Sequence, residues 1–372
     1  MGGTGAVSAA GGGVAGAIAA GGTSGAAGAN AAAGANAAAG ASGSAGMAGT
    51  GGAAGASGAA GAAGTTGNCG ATTHALHPFG CKFAWGIASP NGSLASYSYL
   101  QFMSSWIGSE VKADGSITSC SGCTWLTGTL ASTSLIPAFY AYFIGFYGHA
   151  NGIVDGNQTG TKKLTTDGAA LIKGNRSKII AMYAWYAGQL HTAWPSKPAV
   201  WLLEGDFVQY AATSQSSPLT YAELGQLAAD ITCAIKANMP NAVVAIDHSS
   251  WNADAVTTSY WNAMAVANYD MVWTTGVGNN NGYIEGSANN TTYNHATATY
   301  SYLHTLTGRT LLVDTSAGAS AAGDSWSTAS ASDINGRITD GVIAANITGT
   351  APTGLQGNIS GLANVNAIPS CP

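Results

Sequence analysis

Apolar residues along the chain are grouped in short, strand-like runs that begin near residue 81. Several of these runs, such as residues 199–203 and 310–313, are continuously apolar instead of alternating with polar residues. This pattern is typical of strands whose two faces are both covered by other parts of the protein. The predicted strands are residues 81–88, 135–147, 198–206, 242–247, 270–275 and 309–315.

Apolar residues at helical spacing lie between and after these runs. The predicted helices are residues 167–194, 220–238, 254–267, 295–306 and 332–347. In the second, Thr220 and Glu223 have the spacing of a capping box, and Pro240 follows the expected helix end. The repeated strand–helix order predicts an α/β fold in which a parallel sheet closes into a (β/α) barrel of the TIM type. The active site of such a barrel lies at the carboxyl ends of its strands.

Residues 1–67 have a composition unlike that of the rest of the chain. They contain 23 Gly and 27 Ala, with no charged or aromatic residue. Side chains this small bury too little area to offset the entropy of an ordered backbone, so we expect a disordered Gly/Ala-rich linker. Residues 68–372 carry every charge, Trp, Cys and His, and we expect them to form one barrel domain. A secretion or anchoring signal for this tethered domain would lie upstream of the sequence.

The charge distribution disfavours nucleic-acid binding. The chain has 16 acidic and 11 basic residues, and Lys162 and Lys163 form its largest basic group. Ser, Thr and Asn supply most of the polar surface, as suits an extracellular or cell-surface protein that meets uncharged ligands. Residues 68–372 contain no dinucleotide-binding glycine motif, P-loop or His-Glu-x-x-His motif. We therefore expect no cofactor or metal. We also expect a monomer with no membrane span in this chain.

The six cysteines are an even number, as expected for disulfides formed in an oxidising compartment. Cys120 and Cys123 form a C-x-x-C pair, but the second pair that a zinc site needs is missing. The sequence leaves the disulfide connectivity open. The predicted disulfide cysteines are Cys69, Cys81, Cys120, Cys123, Cys233 and Cys371.

Four carboxylates stand at the ends of predicted strands, although the chain has few acids. Glu204 and Asp206 follow one strand, Asp247 ends the next, and Asp314 ends the last. Because the carboxyl ends of barrel strands meet at one mouth, these side chains should converge and supply general acid and base groups. The alternative is that strand-end carboxylates cap the turn or helix that follows.

Aromatic residues accompany the acids and suggest a carbohydrate ligand. Sugar rings present C–H faces that stack on aromatic planes. The alternative is ordinary burial, which we expect for Trp201 inside its apolar strand. The candidate substrate-binding residues are Trp85, Tyr140, Trp251, Trp273, Tyr283 and Trp326.

Residues 197–316 contain short motifs that resemble those of glycoside hydrolase family 6, the cellobiohydrolase and endoglucanase group. The matching segments, in order, are Leu203-Glu-Gly-Asp206, Met239-Pro-Asn241, residues 245–251, residues 274–283 and Val313-Asp-Thr315. The resemblance implies a distorted barrel and an inverting mechanism with Asp206 as proton donor. It places Asp314 at the position of a candidate base. We therefore expect Asp314 to assist the water, and we expect Glu204 or Asp247 to tune the donor.

The sequence also departs from the motifs of that family. Gly205 replaces a proline, residues 136–143 lack an aspartate that helps to hold the donor's proton, and residues 317–318 lack a basic partner. We expect a secreted glycoside hydrolase that cleaves a neutral polysaccharide, most simply a β-glucan such as cellulose. The alternative is a non-catalytic glycan-binding or surface protein on the same barrel. The converging acids favour the enzyme, and the missing aspartate and low charge favour the binder.

Overall fold

The computed structural model describes most of the chain after residue 76. The described residues are 69, 77–88, 97–118, 125–249, 254–275, 299–314, 326, 329–347, 354–362, 365 and 367–369. Several predictions lie outside the described residues: the linker at residues 1–67, the platforms Trp251 and Tyr283, and the cysteines Cys120, Cys123 and Cys371.

Eight parallel strands form a closed barrel, which confirms the predicted (β/α) architecture. Around the barrel, the strand order is β1-β10-β9-β8-β7-β6-β3-β2. The strands are β1 Ala84–Ala88, β2 Phe102–Ile107, β3 Ile136–Ala141, β6 Ala199–Leu203, β7 Ala242–His248, β8 Met271–Thr275, β9 Thr310–Asp314 and β10 Val342–Ile347. The short strands β4 (Ile153–Val154) and β5 (Lys162–Lys163) form a separate two-stranded sheet.

Helices follow most of the barrel strands. They are α1 Phe143–Ala150, α2 Leu164–His191, α3 Tyr221–Asn238, α4 Asp254–Met264, α5 Tyr300–Thr307, α6 Ala331–Thr339 and α7 Leu355–Gly361. Short 3-10 helices cover Phe207–Ala211 and Ala265–Ala267, and a π-helical segment covers Trp125–Leu130. The predicted capping box of α3 is confirmed: the Glu223 amide donates to Thr220 Oγ1 (3.1 Å), and the Thr220 amide donates to Glu223 Oε2 (2.7 Å). Among the described helices, none is both long and apolar enough to cross a membrane.

Three segments differ from the prediction made from their sequence. Residues 135–147 are strand β3 followed by helix α1, and residues 332–347 are helix α6 followed by strand β10. Helix α1 is aromatic and buried through its first six residues, so it shows no amphipathic period. Strand β10 contains two alanines, which favour a helix. Strand β2 was not predicted because two serines interrupt its apolar run.

The core has two layers, separated by the barrel wall. Alternate residues of each strand point into the barrel, where small side chains such as Ala84 and Ala88 face large ones such as Phe102 and Trp273. The remaining strand residues, among them Trp201, pack against the surrounding helices. Trp201 is buried as predicted.

Disulfides hold the described cysteines. Cys69 is bonded to Cys233 in helix α3, with 5.3 Å between their Cα atoms. Cys81 is also disulfide-bonded. The structure thus confirms the disulfide prediction for these three cysteines.

Helices α3 and α4 approach closely at Gly225. A Cβ atom at this position would lie 2.1 Å from the carbonyl oxygen of Ala263, a backbone atom that cannot move aside. We expect Gly225→Ala to lower the free energy of unfolding by about 1–3 kcal/mol, the usual cost of overpacking. Gly188→Ala, in the open part of α2, should instead raise it by roughly 0.5–1 kcal/mol. Denaturant titration of both variants measures these changes. If Gly225→Ala were as stable as Gly188→Ala, helices α3 and α4 would not be in close contact at Gly225.

Candidate active site

The turn that follows β6 has an uncommon backbone conformation. Glu204 and Asp206 have φ values of 32° and 61°, in the left-handed region that residues other than glycine seldom adopt. Such a conformation costs free energy and persists where neighbouring groups hold it. Two carboxylates hold this turn: one belongs to Glu204 itself, and the other to Asp247 on the neighbouring strand.

Glu204 binds the amino end of helix α1. Its Oε1 atom accepts hydrogen bonds from the backbone N–H of Ile144 (2.8 Å) and from the Tyr183 hydroxyl. Tyr142, the residue before the helix, supplies no side-chain cap, so Glu204 takes that role. Burial raises the pKa of Glu204 to about 8, although these donors act in the opposite direction. The placement supports the capping alternative for Glu204, and a catalytic or tuning role for this residue stays a prediction.

Asp247 supports the turn from the other side. Its carboxylate accepts hydrogen bonds from the Ser249 hydroxyl (2.5 Å) and from the backbone N–H groups of Asp206 and Phe207. Burial raises the pKa of Asp247 well above its usual range, and the charge of Asp206 raises it further. The two carboxyl groups are therefore neighbours, and Asp206 is the one that is only partly buried. Repulsion and burial together favour one retained proton on this pair.

Asp314 has a different environment at the end of β9. It is buried, and its Oδ2 atom accepts a hydrogen bond from the Tyr140 hydroxyl at 2.5 Å. Tyr140 in turn accepts a hydrogen bond from Asn346 Nδ2 (2.6 Å), and Asn346 Oδ1 accepts one from Ser104 (2.9 Å). These four side chains come from β9, β3, β10 and β2, so the network spans half of the barrel strands.

An aromatic group lies beside the acids inside the barrel. The Trp106 ring stacks on Tyr140, with 4.8 Å between ring centroids and 21° between ring planes. Trp273 meets the same tyrosine edge-on at 5.7 Å, and its Nε1–H donates to the Leu203 carbonyl (3.0 Å). Trp106 is only partly buried, so part of its ring faces solvent. Sequence reasoning missed Trp106 because its strand was not recognised.

Two candidate platforms are core residues. Trp85 and Trp326 are buried in the layer between strands and helices, where Phe83 contacts both rings. The Arg337 guanidinium carbon lies 3.7 Å above the Trp326 ring centroid. This corrects the expectation that Trp85 and Trp326 stack on substrate, and ordinary burial is the explanation of both.

The structure adds one acid that the sequence did not assign. The Tyr142 hydroxyl donates to Asp155 Oδ1 (2.8 Å), and Gln158 Nε2 donates to Asp155 Oδ2 (3.1 Å). Tyr142 follows β3, and its ring lies edge-on to Trp106 at 6.0 Å. Asp155 therefore lies near the segment where the family 6 pattern has its missing aspartate, although it comes 13 residues later in the chain.

The described part of the site suits acid–base chemistry. The Asp206–Asp247 pair favours a shared proton, whereas Asp314 accepts a hydrogen bond, so the two groups have complementary properties. Among the described residues, no group of three or more His, Cys, Asp or Glu side chains has the geometry to hold a metal ion.

Comparison with known proteins gives structural matches. No protein-family model matches the sequence, and no curated protein matches it. One similar structure is GH26C from a Muricauda species, with a TM-score of 0.52 and 12% identity, over 79% of this chain and 89% of that one. Another is a modular endo-β-1,4-mannanase of glycoside hydrolase family 26 from Cellulomonas fimi, with a TM-score of 0.50 and 10% identity, over 81% and 74%. At these identities the likeness establishes the barrel fold.

Proposed function

We propose that this protein is a secreted glycoside hydrolase that cleaves a neutral polysaccharide, a β-glucan such as cellulose, by general acid and base catalysis. The observation that carries the proposal is the contrast between the acids at the carboxyl ends of the strands. The Asp206–Asp247 pair repels a second negative charge, whereas Asp314 accepts a hydrogen bond from Tyr140. Glycoside hydrolysis needs two carboxyl groups in such complementary states.

Each carboxyl group has one role in the proposed reaction. Asp206 gives its proton to the glycosidic oxygen as the bond from that oxygen to the sugar carbon breaks. Asp247 shares one proton with Asp206, because two charged carboxyl groups side by side would repel each other. Asp314 takes a proton from the water that attacks the sugar carbon. The resemblance to glycoside hydrolase family 6 supports Asp206 as donor and Asp314 as the group that assists the water.

The nature of the substrate is proposed from the lining of the site. The partly exposed Trp106 ring suits the apolar face of a sugar ring, and it stacks on the buried Tyr140, which packs against the buried Trp273. The chain has few charged residues, which favours a neutral glycan over a charged one. The disulfide between Cys69 and Cys233 supports secretion or surface display, because such bonds persist in oxidising compartments.

Reducing-sugar release tests the function directly. The full chain is incubated with cellulose, mixed-linkage β-glucan, xylan and mannan, and pull-down on the same insoluble glycans is measured in parallel. We expect release from a β-glucan. Release from mannan or xylan alone would support glycoside hydrolysis but would show that the substrate is not a β-glucan. Binding without release from any glycan would instead support the non-catalytic glycan-binding protein.

A further inference from the structure

We propose that Tyr140 is a positioning residue that keeps Asp314 a proton acceptor, and that Asn346 and Ser104 hold Tyr140 in that orientation. The inference rests on the proposed function and deepens it, because it assigns the base to Asp314 and leaves the acid to the Asp206–Asp247 pair. The inference is based on three consecutive hydrogen bonds inside the barrel, which join Ser104 to Asn346, Asn346 to Tyr140 and Tyr140 to Asp314.

The network becomes more exposed towards the mouth of the barrel. Ser104 and Asn346 are 0% exposed, Tyr140 is 2% exposed and Asp314 is 6% exposed. The inward positions of β1, between β2 and β10, are the small residues Ala84, Gly86 and Ala88. Side chains from β2 and β10 can therefore meet across this strand, as Ser104 and Asn346 do at 2.9 Å. The inner end of the network is thus fixed by buried partners.

The chemistry of the donors gives the network one direction. The Asn346 amide nitrogen only donates, so its bond to Tyr140 (2.6 Å) uses a lone pair of the hydroxyl oxygen. The hydroxyl proton of Tyr140 then points away from Asn346 and towards Asp314 Oδ2 at 2.5 Å. Ser104 fixes the orientation of the amide, because its hydroxyl donates to Asn346 Oδ1. Asp314 Oδ2 therefore accepts this bond, and a donor held in this direction favours the ionised carboxylate that a base requires.

The same network distinguishes Asp314 from the other acids near the mouth. They include Asp206 and Glu204 after β6, Asp247 on β7, Glu110 after β2 and Asp155 beside Tyr142. Asp247 is next to a like charge, whereas Asp314 accepts a hydrogen bond from the neutral Tyr140 hydroxyl, which stabilises a carboxylate. The barrel thus offers one site that retains a proton and one that accepts a proton.

The titration of Asp314 tests the inference without any need for activity. Full-length protein labelled with carbon-13 at the aspartate carboxyl carbon is titrated by NMR, and Asp314→Asn identifies the signal. In Tyr140→Phe, which keeps the aromatic ring and removes the hydroxyl, we expect the Asp314 midpoint to rise by about one to two pH units. Asn346→Leu should raise it by less, because Tyr140 then keeps its hydroxyl but loses its orientation.

A matched control separates this effect from the general loss of a buried hydroxyl. Tyr147 is a buried tyrosine in α1 whose hydroxyl donates to Asn175 Oδ1 (2.9 Å), so Tyr147→Phe should leave the Asp314 midpoint unchanged. An unchanged midpoint in Tyr140→Phe would overturn the inference. A shift in Tyr140→Phe with none in Asn346→Leu would overturn the role of Asn346.

Kinetics provide a second readout on the glycan that the wild type cleaves. Tyr140→Phe should lower kcat by up to about 100-fold, with KM little changed, and move the acidic limb of the pH profile upward. A fall in kcat with an unmoved acidic limb would refute the control of Asp314 by Tyr140. If the wild type cleaves no glycan, the proposed function fails, and the NMR titration still decides whether Tyr140 controls Asp314.

Discussion

Asp206→Asn is expected to lower kcat/KM on the cleaved glycan by about 10²- to 10⁴-fold, the usual contribution of a positioned general acid. Asparagine has nearly the same shape and tolerates the left-handed backbone conformation that this position requires, with φ at 61°. The substitution removes the transferable proton of the side chain. It also removes the charge that raises the pKa of Asp247, so the folded state should not be destabilised.

Asp114→Asn is the control for this variant. Asp114 is exposed in a surface turn, where its Oδ1 atom accepts a hydrogen bond from the Ser116 amide (2.8 Å). We expect near wild-type activity from Asp114→Asn and an unfolding midpoint for Asp206→Asn that matches the wild type. Retained hydrolysis in a folded Asp206→Asn variant would remove Asp206 from the role of proton donor.

The parts of the fold that the sequence predicts are those with local causes. Strands β6, β7, β8 and β9 are apolar runs bounded by polar residues, and both of their faces are buried. Helix α3 carries its own capping box and an adjacent proline. In each case, the residues that form the element are the same residues that signal it.

The parts that the sequence misses depend on distant partners. Helix α1 begins where the Glu204 carboxylate accepts the Ile144 amide hydrogen bond, 60 positions away in the chain. Without that partner, its aromatic sequence is typical of a strand. Strand β2 contains Ser104, whose hydroxyl has its partner on β10, so the polar residue that breaks the apolar run is satisfied inside the barrel.

The candidate site was predicted in outline, because strand ends converge in any barrel of this type. The separation of Glu204 from Asp206 was not predictable, since it depends on the positive φ angles of their turn. Glu204 and Asp206 are two residues apart, so on a regular strand their side chains would point to the same face. In the folded protein, Glu204 instead binds α1 and α2, and Asp206 lies beside Asp247.

Glu204→Gln is expected to remove a pH dependence from the stability of the fold. The pKa of Glu204 rises from 4.5 to about 8 on burial, so the folded state binds this proton more tightly than the unfolded state. Its contribution to stability is complete below pH 4.5 and is lost as the pH rises towards 8, by at most about 5 kcal/mol. Glutamine keeps an oxygen for the Ile144 amide and carries no charge. The variant should therefore match the wild type near pH 5 and exceed its stability at pH 8–9.

Glu223→Gln gives a control of opposite sign. Hydrogen bonds from Thr220 hold the pKa of the exposed Glu223 carboxyl below its usual range. Its contribution is therefore present above the unfolded pKa and is lost as the pH falls, so this variant should differ from the wild type at neutral pH and converge with it in acid. Denaturant titrations of the three proteins from about pH 2.5 to 9 measure both trends. If the wild type and Glu204→Gln have parallel stability profiles, Glu204 does not lose a proton in that range while it caps α1.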